Sequence, residues 1–453
     1  MRQAETPEKT GLGDALCKLD QLFKVTGQDL REIAGRFHQA MLDGLAGAIG
    51  PLKMLPSFIS TPSGLEKGRF FAVDFGGTNV RILLVELLGN GRSSILKRKS
   101  MPLKDPAASY DFTQATATGS ELFDLLAGQI KGLAVPGEVC ALGHTFSFPS
   151  RSYDINKAVL INWTKEIKTG QVEGRDINQL LAEALRRQGL PGVIPAAVIN
   201  DTVGTLLAAA YSDPGADIGS ICGTGHNTCY LEPRPACGRG PVIINLESGN
   251  FNLLSFNVYD QLLDQASEKP GEQRLEKMVS GRYLGELTRL VVSNLARQGL
   301  LLRGSMTDPD GLLHRPYSID TELVALALSD DSPGIARLGG WLAENLGVKE
   351  PLPGELAAIR HIAGLVASRS ARLIAATYLG ILRHLDPALR DRHTIAVDGS
   401  LYEKMPGFER NIRSALDEVL AEGGNRVALK LTKEGSGIGA AIAAAIASKQ
   451  QID

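Results

Sequence analysis

Apolar residues recur at helical spacing between positions 12 and 48, with Leu16, Leu19, Leu22 and Phe23 on one stripe, and the run stops where glycine and proline gather at 47–51. A pair of helices is expected there. Residues 51–68 carry three prolines and two glycines without a helical period, the pattern of an extended linker at a lobe boundary. The period then shortens. Strand-like runs at 70–74, 80–87 and 94–100, separated by Gly76-Gly77 and by Gly89-Asn90-Gly91, predict an antiparallel meander. The same pattern returns at 218–222, 227–231 and 242–246, with Gly223-Thr224-Gly225 at its first turn, so the chain reads as internally duplicated. Helical stretches follow each copy, at 119–132 and 176–188, then at 255–264 and 275–298. Two α/β lobes facing one another across a cleft are expected, and clefts are where ligands bind. A Rossmann fold would need its glycine turn between a strand and a helix, whereas both turns here lead into another strand-like run.

Composition narrows the class. The 453 residues are 43% hydrophobic and 22% charged, enough for a large core in two lobes. Lysine plus arginine (48) nearly balances aspartate plus glutamate (50), for a formal charge of -2, which offers no global field for nucleic acid or anionic lipid. Small-molecule partners are expected, with neither nucleic acid nor membrane among them, and the oligomeric state is not legible. Cys17, Cys140, Cys222, Cys229 and Cys237 form no CxxC pair, so neither a zinc knuckle nor a disulfide framework is indicated. The polar stretch 1–10 lacks the apolar centre of a signal peptide, and a cytoplasmic location is expected. The longest apolar stretches, 364–382 and 438–447, are respectively interrupted by Arg369 and Arg372 and too short to span a bilayer, and read as buried helices.

The sharpest local signal is DFGGTNVR, 74–81: an acid at a strand end, two glycines, then two side-chain donors. Glycines let backbone N–H groups approach phosphate oxygens, and a neighbouring carboxylate can hold a hydrated magnesium ion. A plain hairpin turn is the alternative. The second turn, ICGTGHN at 221–227, favours phosphate, because paired turns can grip a phosphate chain from both sides. Between them an apolar strand delivers Asn200 and Asp201 ahead of a helical run. Asp201 reads either as the N-cap of that helix or as a general base accepting the proton of an attacking hydroxyl. Ser147, Asn162, Thr164 and Lys165 place short polar groups and a cation beside aromatics, the mixture a sugar requires, although a hydrogen-bonded loop or a solvated lysine would look the same. Glu247, Gln273 and Glu276 could each accept or orient hydroxyls; Glu276 by itself reads as an exposed helix residue.

Taken together, DFGGTN, FSFP, NWTK, NDTV, GTG, PGEQRLEKM, VDGSLY and EGSG, in that order over about 70–447, resemble the eukaryotic-type hexokinase and glucokinase family. The resemblance implies a two-lobed, actin-like (ribonuclease-H-like) α/β fold with a cleft between a small lobe (60–202, plus a C-terminal helix 437–453) and a large lobe (1–59 and 203–436). It implies ATP-dependent phosphorylation of glucose and related hexoses at the 6-hydroxyl, with Mg2+ beside Asp74. By the same resemblance Asp201 is the catalytic base and Lys165 lies near the transferred phosphoryl group. Ser147, Thr164, Lys165, Asn200, Asp201, Asn227, Glu247, Gln273 and Glu276 hold the hexose. Asp74, Gly76, Gly77, Thr78, Asn79 and Arg81 form the first phosphate segment, Gly223, Thr224 and Gly225 the second, and Gly399 and Ser400 the adenosine segment.

The chain departs from the family pattern in three places. Ser248, Gly249, Asn250, Phe251 and Asn252 stand where Trp-Gly-Ala-Phe-Gly is usual, Ile438 where a basic residue is usual, and Gly204 where alanine is usual. A sugar-sensing regulator of the same fold is the alternative function, and it would be favoured by loss of Asp201 or of the phosphate turns. A ROK-type sugar kinase would carry a cysteine-rich zinc motif, and an actin-like chaperone or cytoskeletal ATPase would lack the polar run 147–165.

Overall fold

The computed structural model describes residues 11–450 apart from 78, 136, 165–166, 236–239, 303–310 and 349. Helices α1 (Leu12–Phe23) and α2 (Gly27–Leu45) form where the period predicts them, α2 starting at a capping box in which Thr26 and Asp29 satisfy each other's backbone N–H groups. Linker residues Leu55–Pro56 (β1) then pair with a later strand at the edge of a sheet. The first meander is β2 (Lys67–Phe75), β3 (Asn79–Gly89) and β4 (Arg92–Pro102). Short pairs β5 (Lys104–Asp105) with β6 (Tyr110–Asp111) and β8 (Ser150–Asp154) with β9 (Lys157–Leu160) decorate it. Helix α3 (Gly119–Lys131) leads to β7 (Cys140–Phe146), α4 (Ile177–Arg187) to β10 (Val193–Ile199), and α5 (Asp201–Ser212) closes this half.

The second half repeats the plan with a long insertion. Its meander is β11 (Ala216–Cys222), β12 (His226–Glu232) and β13 (Val242–Asn245). Helices α6 (Val258–Ala266), α7 (Arg274–Val279), α8 (Gly281–Arg297), α9 (Thr321–Ser329), α10 (Ala336–Leu346) and α11 (Pro353–Leu385) follow, then β14 (His393–Asp398), α12 (Ser400–Lys404), α13 (Phe408–Leu420), β15 (Val427–Leu431) and α14 (Gly435–Gln450). The sheets run β10-β7-β2-β3-β4 and β1-β13-β12-β11-β14-β15. In each, an antiparallel meander is extended by two parallel strands beyond its first strand. The duplication expected from the turns therefore extends to the topology. Strand β4, rich in Arg and Lys, forms the exposed edge of the first sheet.

One expected helix is broken. Residues 275–298 divide into α7 and α8 at Ser280, which is extended (φ -87°, ψ 155°). The break frees the first N–H groups of α8 to turn outward, and the site below uses two of them.

The core has three parts: one outside the first sheet under α3 and α4, one around the long insertion, and one between the sheets built on α5 and α14. Helix α11 is long and apolar enough to cross a membrane by length and composition, but 83% of its apolar window is buried, as expected of a core helix. Arg369 and Arg372, which interrupt its apolar run, both find partners within the protein. Arg369 forms a bidentate pair with buried Asp260 (2.8 and 2.6 Å), and Arg372 donates to the Val25 carbonyl at 2.6 Å.

Helix α14 is apolar all round, as a helix enclosed on every side must be. Its neighbours approach to backbone distance. A Cβ on Gly143 of β7 would lie 1.7 Å from the Ala440 carbonyl oxygen, and one on Gly439 would lie 2.0 Å from that of Gly204 in α5. Gly204, the departure noted above, faces the same contact: a methyl there would meet the Ser436 carbonyl oxygen at 2.9 Å. We expect Gly439→Ala to lower the melting temperature markedly, because two backbones must separate, and Gly204→Ala to cost less, since its smaller clash is partly offset by roughly 1 kcal/mol of helix propensity. Melting curves in which Gly204→Ala is the more damaging of the two would contradict this packing.

Candidate active site

The first glycine turn joins β2 to β3 and is closed by the Gly76 N–H on the Asn79 carbonyl (3.1 Å). Asp74, buried just before it, receives Arg81 Nη2 at 2.7 Å and the Ser436 hydroxyl of α14 at 2.8 Å. Burial pushes the Asp74 carboxyl up; Arg81 and Ser436 oppose the rise, and the charges of Asp201 and Glu434 add to it. Arg81 also reaches Glu434 (3.5 Å), which Arg98 of β4 contacts at 3.2 Å. Thr78 lies outside the described residues.

The second turn is fixed from two sides. Gly223 N–H closes it on the Gly225 carbonyl (3.0 Å), while the Gly281 and Arg282 N–H groups of α8 donate to the Gly223 and Thr224 carbonyls at 2.8 and 3.0 Å. Gly399 (φ 128°) rests directly on it: a Cβ there would lie 2.4 Å from the Cys222 carbonyl oxygen, so only glycine allows the approach. Gly399 and Ser400 follow Asp398, whose Oδ2 accepts the Gly435 N–H at 3.0 Å. The three segments expected to hold the nucleotide thus converge, with Asn79, Thr224 and Ser400 exposed. Asp398 and Glu434, which the motif reading passed over, belong to the same acidic surround of Arg81. Burial, with Asp74 nearby, raises the Asp398 carboxyl to about 6.

A cleft of about 1820 Å³ opens beside the second turn at Gly225, lined by Ser147, Asn162, Thr164, Asn200, Asp201, Asn227, Glu247, Gln273 and Glu276. Lys165 lies outside the described residues. The loop carrying Asn162 and Thr164 is anchored by Trp163, whose indole N–H donates to the Thr169 carbonyl (2.8 Å) and whose ring packs on Phe75, Phe146 and Phe148. These aromatics mostly cover one another, so their main work is to position the polar residues between them.

Asn200, rather than Asp201, is the N-cap of α5: its Oδ1 accepts the Thr202 N–H (3.0 Å) and hydroxyl (2.7 Å). The cap role considered for Asp201 therefore falls to its neighbour. Asp201, one position into the first turn, lines the cleft. From Asn200 a chain of amides continues. Asn227 Nδ2 donates to Asn200 Oδ1 (3.3 Å) and Asn245 Oδ1 (2.9 Å), and Asn245 Nδ2 donates to Glu247 Oε1 (2.9 Å). Buried Asn245 was missed in the sequence, where it is one polar residue ending an apolar strand; only its strand register against Cys229 places it between two site residues.

Glu247 (φ 53°) and Gln273 (φ 52°) both hold left-handed backbone conformations, uncommon outside glycine and concentrated at sites where geometry matters. Glu276 is no exposed helix residue; its Oε2 accepts the His226 N–H at 3.0 Å within the cleft wall. His226 is buried and held neutral, its imidazole pushed down to about 4 by burial, with Nδ1 donating to the Ile221 carbonyl at 3.1 Å.

The departures have distinct fates. Ser248 is fully buried with its N–H on Asn227 Oδ1 (3.1 Å), and Phe251 packs edge-on against Phe37 in the core. Asn250 alone of that segment faces the cleft, its Nδ2 donating to the Glu247 carbonyl at 3.2 Å. Ile438 packs into the apolar cluster between the sheets.

Two protein-family models, both described as Hexokinase, match residues 15–211 and 217–446. Hexokinase-2 of Oryza sativa subsp. japonica is 36% identical over 475 residues, covering 99% of this chain and 94% of the relative. Glucokinase of Aspergillus niger is 32% identical over 495 residues, covering 98% of both. Hexokinase-2 of Rattus norvegicus is 36% identical over 454 residues, and the chain spans 48% of that relative's length. A crystal structure of hexokinase superposes with a TM-score of 0.83 at 34% identity, over 96% of this chain and 99% of that one. Hexokinase from Schistosoma mansoni complexed with glucose gives 0.82 at 31% identity, over 96% and 100%.

The crowding of acids has a measurable cost. Asp398 retains its proton to about pH 6 when folded but only to about 3.8 when unfolded, so its contribution to stability falls as pH climbs through that window and stays lower above it. We expect Asp398→Asn to be stabilised relative to the parent at pH 8, by on the order of 2 kcal/mol, with the advantage shrinking towards pH 5. Denaturant melts at both pH values measure this; a variant less stable at pH 8 would show the carboxylate to be net favourable.

Proposed function

Since the chain belongs to the hexokinase family, we propose that it transfers the γ-phosphoryl group of ATP to the 6-hydroxyl of a hexose. Glucose is the leading acceptor, with mannose and fructose as further substrates, and the reaction would serve as the entry step of glycolysis. The observation that carries the reading is the place of Asp201. It lines the cleft next to Asn200, from which hydrogen bonds run through Asn227 and Asn245 to Glu247, and buried Asp74 feels its charge. A carboxylate there can take the proton of a hydroxyl held by the amides while the phosphate chain lies along the glycine turns.

The roles then follow from chemistry. Ser147, Thr164, Asn200, Asn227, Glu247, Gln273 and Glu276 orient hydroxyls, and orientation supplies much of the rate in phosphoryl transfer. The glycine turns at 76–77 and 223–225, with Arg81, hold phosphate oxygens by N–H groups and charge; Gly399 and Ser400 take the adenosine side. Lys165, by the resemblance, adds a cation where charge develops. The acid set fits a cation brought in with the nucleotide: Asp74 is destabilised as a bare anion, and Mg2+ keeps most of its ligands as water and phosphate oxygens. Such an ion would offset the phosphate charge, with Asp74 as its protein neighbour. Among the described residues no three His, Cys, Asp or Glu side chains group to hold a metal without the nucleotide's help.

The cleft is larger than one sugar ring fills, and closure of a small lobe (60–202 with 437–453) on a large one would exclude water as a competing acceptor. A cytoplasmic location is part of the same reading, supported by free thiols at the four described cysteines. The sugar-sensing alternative would be favoured by loss of Asp201 or of the glycine turns, and the chain carries all of them.

The test is ADP formation in the presence of Mg2+, ATP and a panel of glucose, mannose, fructose and glucosamine. Hexose-dependent ADP is expected from the parent, while Asp201→Ala should lose about 10²–10⁴-fold in kcat yet still bind glucose in calorimetry. No ADP from the parent with any of these sugars would refute the kinase reading.

A further inference from the structure

One short stretch, 276–282, contacts the second phosphate turn at three backbone groups, and the same stretch carries a carboxylate of the proposed sugar site. Glu276 Oε2 accepts the His226 N–H (3.0 Å) immediately after the turn, and two residues beyond the helix break Gly281 and Arg282 donate to the carbonyls of Gly223 and Thr224 (2.8 and 3.0 Å). The fit is close. A Cβ on Gly225 would stand 3.0 Å from Glu276 Oε2, and one on Gly281 would stand 2.7 Å from the Gly223 carbonyl oxygen. Gln273 caps the same short helix α7 in its left-handed conformation, and Ser280 N–H closes its end on the Glu276 carbonyl (2.9 Å).

We infer that Glu276 is a positioning residue for the phosphate turn as well as a hexose ligand, so that sugar and nucleotide are coupled through its carboxylate. The inference rests on the kinase reading above. A backbone N–H donating to a carboxylate makes a charge-assisted bond, stronger than one to a neutral acceptor, and its geometry depends on where the carboxylate points. A hexose hydroxyl on that carboxylate restricts its rotation, so a nucleotide arriving second meets a turn already ordered. By linkage the effect is reciprocal: the nucleotide tightens hexose binding by the same factor.

The prediction separates two jobs of one side chain. Calorimetry of MgADP binding, with and without saturating glucose, is run on the parent, Glu276→Ala and Glu276→Gln. In the parent, glucose tightens MgADP. Glu276→Ala should weaken MgADP about tenfold even without sugar, and lose most of the enhancement by glucose. Glu276→Gln keeps an oxygen that accepts the His226 N–H, so it should recover most MgADP affinity while glucose affinity stays low. Gly281→Ala approaches the turn from its other side and should weaken MgADP several-fold with the glucose Kd, measured alone, unchanged. Should Glu276→Ala fold poorly, the opposite profiles of Glu276→Gln and Gly281→Ala carry the test. Equal loss of MgADP affinity in both Glu276 variants, or none in either, overturns the strut while leaving sugar-dependent ADP formation by the parent, and with it the kinase reading, intact.

Discussion

Much of the site depends on three backbones touching. Helix α14 lies against β7 at Gly143 and against α5 at Gly204 and Gly439, with no side chain between them. Contact of that kind leaves little room to slide, so the start of each helix is fixed relative to the other. Their starts are where the chemistry is. The turn into α14 carries Glu434 to Arg81 and its first turn carries Ser436 to Asp74; α5 carries Asn200 and Asp201. The duplicated halves thus supply equivalent helices, and the contact between them sets the distance from acid to acid.

The second constraint is electrostatic. Asp74, Asp398 and Glu434 share Arg81, with Asp201 close enough to be felt, and Arg98 adds a further positive charge from the edge strand. Acids outnumber the guanidinium groups that face them. Such a surround is expensive as it stands and becomes favourable when a cation arrives, which is how a site stores affinity for a metal-bearing ligand. Under the proposed function, stability lost at Asp398 would return as affinity for such a ligand at the turns.

Much of this was legible in the sequence, for identifiable reasons. Period-two runs with glycine turns define the meanders, and their repetition defines the duplicated sheets, because strand alternation and turn chemistry are local properties. What was not legible depends on contacts between distant segments. The residues 275–298 keep a helical period through Ser280, yet the helix breaks there because the carbonyls of Gly223 and Thr224 offer the freed N–H groups better partners than another helical turn would. Asn200 and Asp201 are both competent caps and both accept the Thr202 N–H; the extended backbone of Asn200 (φ -78°, ψ 159°), with Asp201 already helical, decides between them. Asn245, Asp398 and Glu434 look like ordinary strand-end or turn polar residues until β12, β3 and α14 are in place. Gly204 is the opposite case: a visible departure whose meaning lies in Ser436 and Gly439, more than 200 positions away.

The exposed strand β4 has a consequence of a different kind. Its outer edge offers unpaired backbone groups, the template on which a second chain could add a strand. Arg92, Lys97, Arg98 and Lys99 line that strand, and any copy docking by the same edge would set these cations against their own counterparts. Arg98 therefore braces Glu434 beside Arg81 and, on the same strand, helps keep crowded copies of the protein from joining sheet to sheet.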